Sequence, residues 1–125
     1  CKELDAGDIF MKTPVNISIG SAEEIFQKVS GIIFTDMIPY IINNNPSPIP
    51  QKTSEITFKR RKPDESNILN TTFNSLKDIY DFIRMLDAEG YPKAFLNIDN
   101  LHIEFSEVHR KTGKLTGRFE IIENE

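Results

Sequence analysis

Residues 75–105 carry the clearest structural pattern in the chain and read SLKDIYDFIRMLDAEGYPKAFLNIDNLHIEF. Ser75, with Asp78 three residues later, is typical of a helix N-terminus. Apolar side chains then recur at helical spacing, at Leu76, Ile79, Tyr80, Ile83 and Leu86. This spacing predicts a helix with one buried face, and Gly90 followed by Pro92 predicts its end.

Three strands are predicted after this helix, over residues 94–98, 101–105 and 115–121. The turns between them are expected at Asp99-Asn100 and at Lys111-Thr112-Gly113, because these residue types tolerate turn backbone. In the second strand, apolar and polar side chains alternate, which predicts one buried and one wet face. The apolar set is Leu101, Ile103 and Phe105, and the polar set is His102, Glu104 and Ser106.

The first part of the chain predicts a second, longer helix. Ser21 with Glu24 forms a capping-box pattern. An apolar stripe follows, made of Ile25, Phe26, Val29, Ile32, Ile33, Met37 and Ile41, and is expected to pack as core. The helix should end near residues 43–45, where Asn tolerates left-handed backbone and Pro46 blocks continuation. Short strands are expected at residues 9–12 and 56–58.

Prolines 46, 48 and 50 predict a stiff, extended linker between two parts. The domains are therefore expected to be residues 1–51 and residues 52–125.

Composition limits the classes of protein that fit. The chain has 125 residues, a net charge of −4 and one cysteine, so an internal disulfide is excluded and a reducing cytoplasm is expected. No metal site is predicted. The acidic opening is unlike a signal peptide, and no run is expected to approach the roughly 20 apolar residues of a membrane helix, so no membrane partner is predicted.

Several motifs share their order with one known family. The segment Leu4-Asp5-Ala6-Gly7-Asp8-Ile9 resembles Leu-Asp-x-Gly-Asp/Pro-Ile of the 10-formyltetrahydrofolate-dependent formyltransferases. Ser21-Ala22-Glu23-Glu24, Pro48-Ile49-Pro50-Gln51, residues 58–66 and residues 83–95 are similar to later segments of that family. The group includes methionyl-tRNA formyltransferases and nucleotide-sugar formyltransferases, and the resemblance is to its C-terminal portion.

The resemblance implies an α+β fold. It would be the tail end of a Rossmann-like catalytic domain, a strand plus a long helix, followed by a small, truncated OB-like C-terminal domain of a helix plus antiparallel strands. It also implies one-carbon chemistry with 10-formyltetrahydrofolate as donor, Asp5 as the catalytic carboxylate, and Glu3, Leu4 and Asp5 beside the donor. The family's Asn and His have no match in these residues, so the chain alone is expected to be inactive and to need an N-terminal catalytic half as partner.

The acceptor amine is less constrained. The basic run at Lys59, Arg60 and Arg61 is predicted to meet phosphate groups of the substrate, with a solvated loop as the alternative. Residues after Gln51 hold 12 basic and 13 acidic side chains, which does not favour a nucleic-acid surface. An amino sugar nucleotide is therefore the preferred acceptor. Methionyl-tRNA, with initiator tRNA as partner, is the alternative, and a non-catalytic binding or assembly module is the third.

Three further side chains receive structural assignments. His102 and His109 are expected at the surface, outside any catalytic group. Arg84 is expected to form a structural salt bridge.

Overall fold

The computed structural model describes residues 7–51 and 58–124. In chain order the described elements are α1 (Ala22–Ile32), a π-helical turn (Ile33–Met37), α2 (Ile38–Asn44), 3₁₀ turns (Pro63–Ser66 and Ile68–Asn70), α3 (Leu76–Leu86), β1 (Ala94–Ile98), β2 (Leu101–Lys111) and β3 (Lys114–Glu123). The chain divides into two compact units. The first unit is Cys1–Ile17 with Phe26–Lys59, and the second is Ser18–Ile25 with Arg60–Glu125. The α+β class is confirmed.

The first unit contains a single backbone bridge where a strand was predicted. Ile9 and Ile49 exchange two hydrogen bonds of 2.8 and 2.9 Å. Pro48 and Pro50 flank Ile49, and proline is poorly accommodated inside a paired strand, so the contact stays an isolated bridge. The predicted strand over residues 9–12 is therefore wrong. Residues 56 and 57 of the other predicted strand lie outside the described residues, and Phe58 is not in a strand.

The predicted long helix is interrupted near its middle by the π-helical turn, in which the Ile38 N–H bonds the Ile33 carbonyl. Pro39 sits in the first turn of α2. A proline ring clashes with the carbonyl four residues earlier, and a wider turn relieves that clash. As predicted, the helix ends at asparagine: Asn45 is left-handed, with φ of 42°.

The helical segment Ala22–Asn44 has 23 residues and contains a window of mean hydropathy 1.3, so it is long and apolar enough to cross a membrane by length and composition alone. Lys28 and Asp36 interrupt this segment, so it is not the continuous apolar run that the sequence analysis excluded. Core helices of soluble proteins pass the same test.

The apolar stripe of this segment is not a closed core. Within the described part of the first unit no residue is buried. Of its members, Phe26 and Ile33 are 48 and 38 % exposed. The prediction that the whole stripe packs as core is therefore wrong for the described residues of this unit. Its one buried member, Ile25, belongs to the second unit.

The second unit has a layer of three antiparallel strands in the order β1-β2-β3, and α3 packs against it. Ala94 pairs with Phe105 across β1 and β2, and Phe105 pairs with Phe119 across β2 and β3. Ile83, Leu86 and Ala94 form the buried centre. The Ser75 hydroxyl accepts from the Asp78 N–H at 3.2 Å, so the predicted cap of α3 is confirmed.

β2 and β3 extend beyond their predicted ends, and β2 contains a bulge between Ser106 and His109. Glu107 in the bulge has φ of 50°. Ser106, predicted on the wet face, is 5 % exposed. The alternation fails there because a bulge shifts the side chains of one strand relative to its partner. The turns are where they were predicted, with positive φ at Asp99 and Gly113.

Candidate functional site

The predicted catalytic and donor-binding residues, Glu3, Leu4 and Asp5, lie outside the described residues. The nearest described position is Gly7, whose carbonyl accepts a 2.7 Å hydrogen bond from the Gln51 side-chain amide. Together with the Ile9–Ile49 bridge, this bond joins the two family-like segments of the first unit. Motifs more than 40 residues apart in sequence are thus adjacent in space.

A cleft of about 580 Å³ lies beside this junction. Its walls are mainly apolar and consist of Ile9, Phe10, Met11, Lys12, Ile49, Pro50 and Gln51. Mainly apolar clefts of this volume, with a few polar groups, commonly hold aromatic ligands. We call it the first-unit cleft.

The residues of the predicted phosphate-binding run, Lys59, Arg60 and Arg61, make different contacts. Arg61 donates to the Glu65 carbonyl and lies 5.4 Å from the centre of the Phe82 ring, a cation–π distance. Its guanidinium is therefore partly engaged in packing. Lys59 and Arg60 are exposed, and neither forms an ion pair within the described ranges. The substrate-binding role of these residues stays a prediction.

A second basic cluster appears where the β2–β3 hairpin approaches the start of α3. Lys77, Arg110 and Lys111 line a cavity of about 750 Å³, together with Ser75, Leu76, Thr112 and Gly113. A neighbouring cavity of about 400 Å³ shares Lys77 and Arg110. We call the larger cavity the hairpin groove. Among the residues that the structure describes, no carboxylate lines it, and Arg110 and Lys111 form no ion pair.

The sequence analysis missed the hairpin groove because Lys77 lies 33 positions before Arg110. The pairing of Arg110 and Lys111 beside a predicted turn was a usable signal. Without the packing of α3 on the sheet, however, nothing in the sequence connects Lys77 to it.

Charged groups on α3 stabilise the helix and its surroundings. Asp81 is paired with Lys77 and, at 2.7 Å, with the Arg84 Nε. The hydrogen bond from Lys77, helped by Arg84, holds the pKa of Asp81 below its usual value despite partial burial. Arg84 is 7 % exposed and also donates to the Gly20 carbonyl at 3.0 Å. The predicted structural salt bridge of Arg84 is confirmed.

The two histidines differ in setting. His109 is exposed, as predicted. His102 is half-buried, with Nδ1 2.7 Å from the Asn97 side-chain oxygen and Nε2 3.3 Å from a Glu104 carboxylate oxygen. In the described ranges, no three His, Cys, Asp or Glu side chains are placed to hold a metal ion.

Comparison with known proteins shows which protein family the chain resembles. Residues 63–122, which contain α3 and the sheet, match the family model described as methionyl-tRNA formyltransferase, C-terminal domain. The chain matches the C-terminal portion of the formyltransferase family, as the sequence motifs indicated.

The relatives agree in name. The chain is 29 % identical over 107 residues to methionyl-tRNA formyltransferase of Streptococcus pneumoniae (strain ATCC 700669 / Spain 23F-1), covering 82 % of this chain and 34 % of the relative. It is 24 % identical over 113 residues to the same-named protein of Bacillus pumilus (strain SAFR-032), covering 87 and 35 %. The chain therefore spans about a third of the length of these curated relatives.

A solved structure is more similar. Methionyl-tRNA formyltransferase from Clostridium thermocellum is 44 % identical, with a TM-score of 0.89, and the match covers 99 % of this chain and 53 % of that one. These names favour the methionyl-tRNA alternative over the amino sugar nucleotide preferred from sequence. The charge count that underlay the sugar preference averages over the region and does not reveal the local basic cluster at the hairpin.

Proposed function

We propose that the whole protein moves a formyl group from 10-formyltetrahydrofolate to the amino group of methionyl initiator tRNA. The observation that carries this proposal is the 44 % identity over 99 % of the chain to a structure with that name. Because the chain spans only part of that protein, the donor, the acceptor and the activity belong to the proposal.

The reaction needs a neutral amine, donors for the oxyanion of the tetrahedral intermediate, and a group that takes the amine's proton. We assign the last task, directly or through another group, to Asp5, and donor contact to Glu3 and Leu4, on the family resemblance. The anchoring of Gly7 and Ile9 supports this assignment, since the residues that follow Asp5 are tied to Ile49 and Gln51.

The first-unit cleft supports the choice of donor. Its apolar walls and its volume of about 580 Å³ suit a flat heterocycle such as the pterin of the folate. We propose Phe10, Met11 and Pro50 as the side chains that such a ring would contact.

The hairpin groove supports a nucleic-acid acceptor. Arg110 and Lys111 present two cations to one concave surface, and Lys77, which is paired with Asp81, lies beside them. Clustered Lys and Arg side chains bind the phosphate backbone independently of base sequence. We propose that this groove contacts tRNA phosphates, alongside the exposed Lys59 and Arg60. Because the proposed acceptor is an aminoacylated tRNA, we keep the cytoplasm as the proposed location.

We further propose that the 125 residues do not catalyse formyl transfer without additional residues. No match to the family's Asn and His motif is found in them, and a carboxylate without oxyanion donors supplies little rate enhancement. The exposed apolar side chains at Ile33, Phe34 and Ile42 support a packing surface for such residues.

The acceptor can be tested with the complete protein and 10-formyltetrahydrofolate. Formylation should occur with methionyl initiator tRNA and not with a nucleotide-linked amino sugar. Asp5→Asn should abolish turnover and leave the circular dichroism spectrum unchanged. Formylation of the sugar alone would reverse the choice of acceptor, and full activity of Asp5→Asn would remove Asp5 from the mechanism.

The hairpin groove can be tested by tRNA binding at several salt concentrations. The double change Arg110→Ala/Lys111→Ala should weaken binding and lower the slope of log K against log salt by about 2, or about 1 for each lost phosphate contact. Lys93→Ala, outside the groove, is the matched control. Unchanged affinity and slope in the double variant would exclude the groove as the tRNA contact.

A further inference from the structure

The cavity next to the hairpin groove contains an aromatic ring as well as cations. It has a volume of about 400 Å³, lies within the second unit and shares Lys77 and Arg110 with the hairpin groove. We call it the Tyr80 cavity. Cavities of this size bind small organic ligands, and one nucleoside fits within it. Its walls are Ser18, Ile19, Lys77, Tyr80, Asp81, His109 and Arg110.

Buried contacts fix the position of the Tyr80 ring, which is itself half-buried. The Arg84 guanidinium lies over the ring, with its central carbon 5.3 Å from the ring centre. Arg84 is 7 % exposed and is held by Asp81 and by the Gly20 carbonyl, at 2.7 and 3.0 Å. Because the guanidinium takes one face of the ring, a flat ligand can stack only on the other face. A ring that is already fixed loses little freedom when a ligand binds it.

The charged groups of the cavity differ in what they offer a ligand. Asp81 is the one carboxylate among the residues that line it, and its two oxygens are engaged by Lys77 and Arg84. Arg110 is exposed and has no ion pair in the described ranges. The cavity therefore offers a cation for a phosphate group, and no free carboxylate with which to read the edge of a base.

An aromatic ring beside unpaired cations is the combination that binds unpaired nucleotides. Single bases stack on tyrosine, while Lys and Arg side chains neutralise the phosphates on either side. Bases inside a double helix are stacked on one another and cannot enter a cavity of this kind. The Tyr80 cavity and the hairpin groove meet at Arg110, so one strand can place a base in the first and its phosphates along the second.

We propose that the Tyr80 cavity holds one unpaired nucleotide of an RNA strand, with its base stacked on Tyr80 and the adjoining phosphates on Arg110 and Lys111. Binding depends on the base being unpaired and not on which base it is, because stacking tolerates every base. The inference rests on the proposed tRNA acceptor for the identity of the strand. It adds a site that distinguishes unpaired from paired RNA.

The fluorescence of 2-aminopurine tests the stacking directly, with the complete protein. A single-stranded RNA of about 12 nucleotides, within the range of known single-strand sites, would carry this base at each position in turn. At one or more positions, the fluorescence should fall when the parent or Tyr80→Phe binds, and it should not fall with Tyr80→Leu. A parent that binds the RNA with unchanged fluorescence at every position would overturn the proposal, and this outcome does not depend on any variant folding.

Salt dependence separates stacking from phosphate contact. Tyr80→Leu should weaken single-strand binding about tenfold at every salt concentration, with the slope of log K against log salt unchanged, because a stacked base releases no counterions. Its affinity for the same RNA in a duplex should match that of the parent. Tyr80→Phe should bind as the parent does, and Tyr91→Leu, an exposed tyrosine outside both cavities, is the matched control.

Two results of this series would contradict the proposal: no loss of single-strand affinity in Tyr80→Leu, or an equal loss in Tyr80→Phe. A lowered slope in Tyr80→Leu would show that the hairpin groove is damaged as well, and the fluorescence of the parent and of Tyr80→Phe then decides.

Adenosine monophosphate separates a strand from a free nucleotide as the ligand. It should displace the single strand only at concentrations at least about 100-fold above the dissociation constant of the strand, because the strand adds further linked contacts. Displacement at equal concentrations would assign the cavity to a free nucleotide and overturn the proposal. Formylation of methionyl-tRNA without any fluorescence change would remove this inference and leave the proposed function standing, whereas fluorescence loss without formylation would do the reverse.

Discussion

The two long helical segments of the chain each carry an apolar stripe and bury it to different extents. In α3 the stripe residues Ile83 and Leu86 are 7 and 6 % exposed, because the three-stranded sheet lies against them. In the segment Ala22–Asn44, the stripe residues Phe26 and Ile33 are 48 and 38 % exposed. An apolar stripe thus shows which face of a helix can be buried, whereas burial itself requires a second layer.

The largest expected difference between the two stripes is in their response to an introduced charge. Ile83→Asp would place an unpaired carboxylate against Leu86 and Ala94, and it should cost about 4 kcal/mol or more, enough to unfold the second unit. The matched change Ile33→Asp, at a partly exposed position, should cost about 1 kcal/mol or less. Urea unfolding followed by circular dichroism measures both. Equal losses would show that the two stripes are equally buried in solution.

Capping should affect the two helices alike, because each begins with a serine that accepts a backbone N–H three residues later. The distances are 3.2 Å for both Ser75–Asp78 and Ser21–Glu24. Ser75→Ala and Ser21→Ala should each lower the free energy of unfolding by about 1 kcal/mol. Ser30→Ala, inside α1, is the control and should not destabilise. A loss confined to Ser75→Ala would mean that α1 contributes little to the measured stability.

The smallest expected effect is on the pH dependence of stability, through the ion pair of Asp81 with Lys77 on α3. Because the folded-state pKa of Asp81 is lowered, chiefly by the hydrogen bond from Lys77, its contribution is present above the unfolded value of about 4 and is lost as pH falls below it. Asp81→Asn should therefore flatten the decline of stability below about pH 4. Lys77→Met should also make that decline smaller, because the folded-state pKa of Asp81 then moves towards its unfolded value. Unfolding curves between neutral and acidic pH would test both, and parallel curves for parent and Asp81→Asn would contradict the assignment.

Local features of the fold were accessible from sequence. The caps at Ser21 and Ser75 satisfy helix N–H groups within three residues, and Asn45, Asp99 and Gly113 adopt the left-handed backbone expected of their residue types. Each of these depends on a few neighbouring residues, so a pattern of that length predicts it.

Other local features had a signal that was overlooked. Pro39 within the apolar stripe is a sufficient reason for the π-helical turn before it. Pro48 and Pro50 likewise limit pairing at Ile49 to one bridge. In both cases the proline was visible in the sequence.

The candidate sites divide in the same way. The motif at Asp5 pointed to the formyltransferase family, and the family comparison agrees. The hairpin groove could not be predicted, because Lys77 meets Arg110 only when α3 packs on the sheet. The burial of Ser106 depends on a bulge in β2 that no local pattern announced.

From its sequence alone, this chain specifies its helix caps, its turns, its strand order along the chain and its family, since these follow from short-range hydrogen bonding and from ordered motifs. Folding specifies which apolar stripe is covered and which cations share a groove. Burial and electrostatic proximity are properties of surfaces brought together from distant positions, so no single segment can encode them.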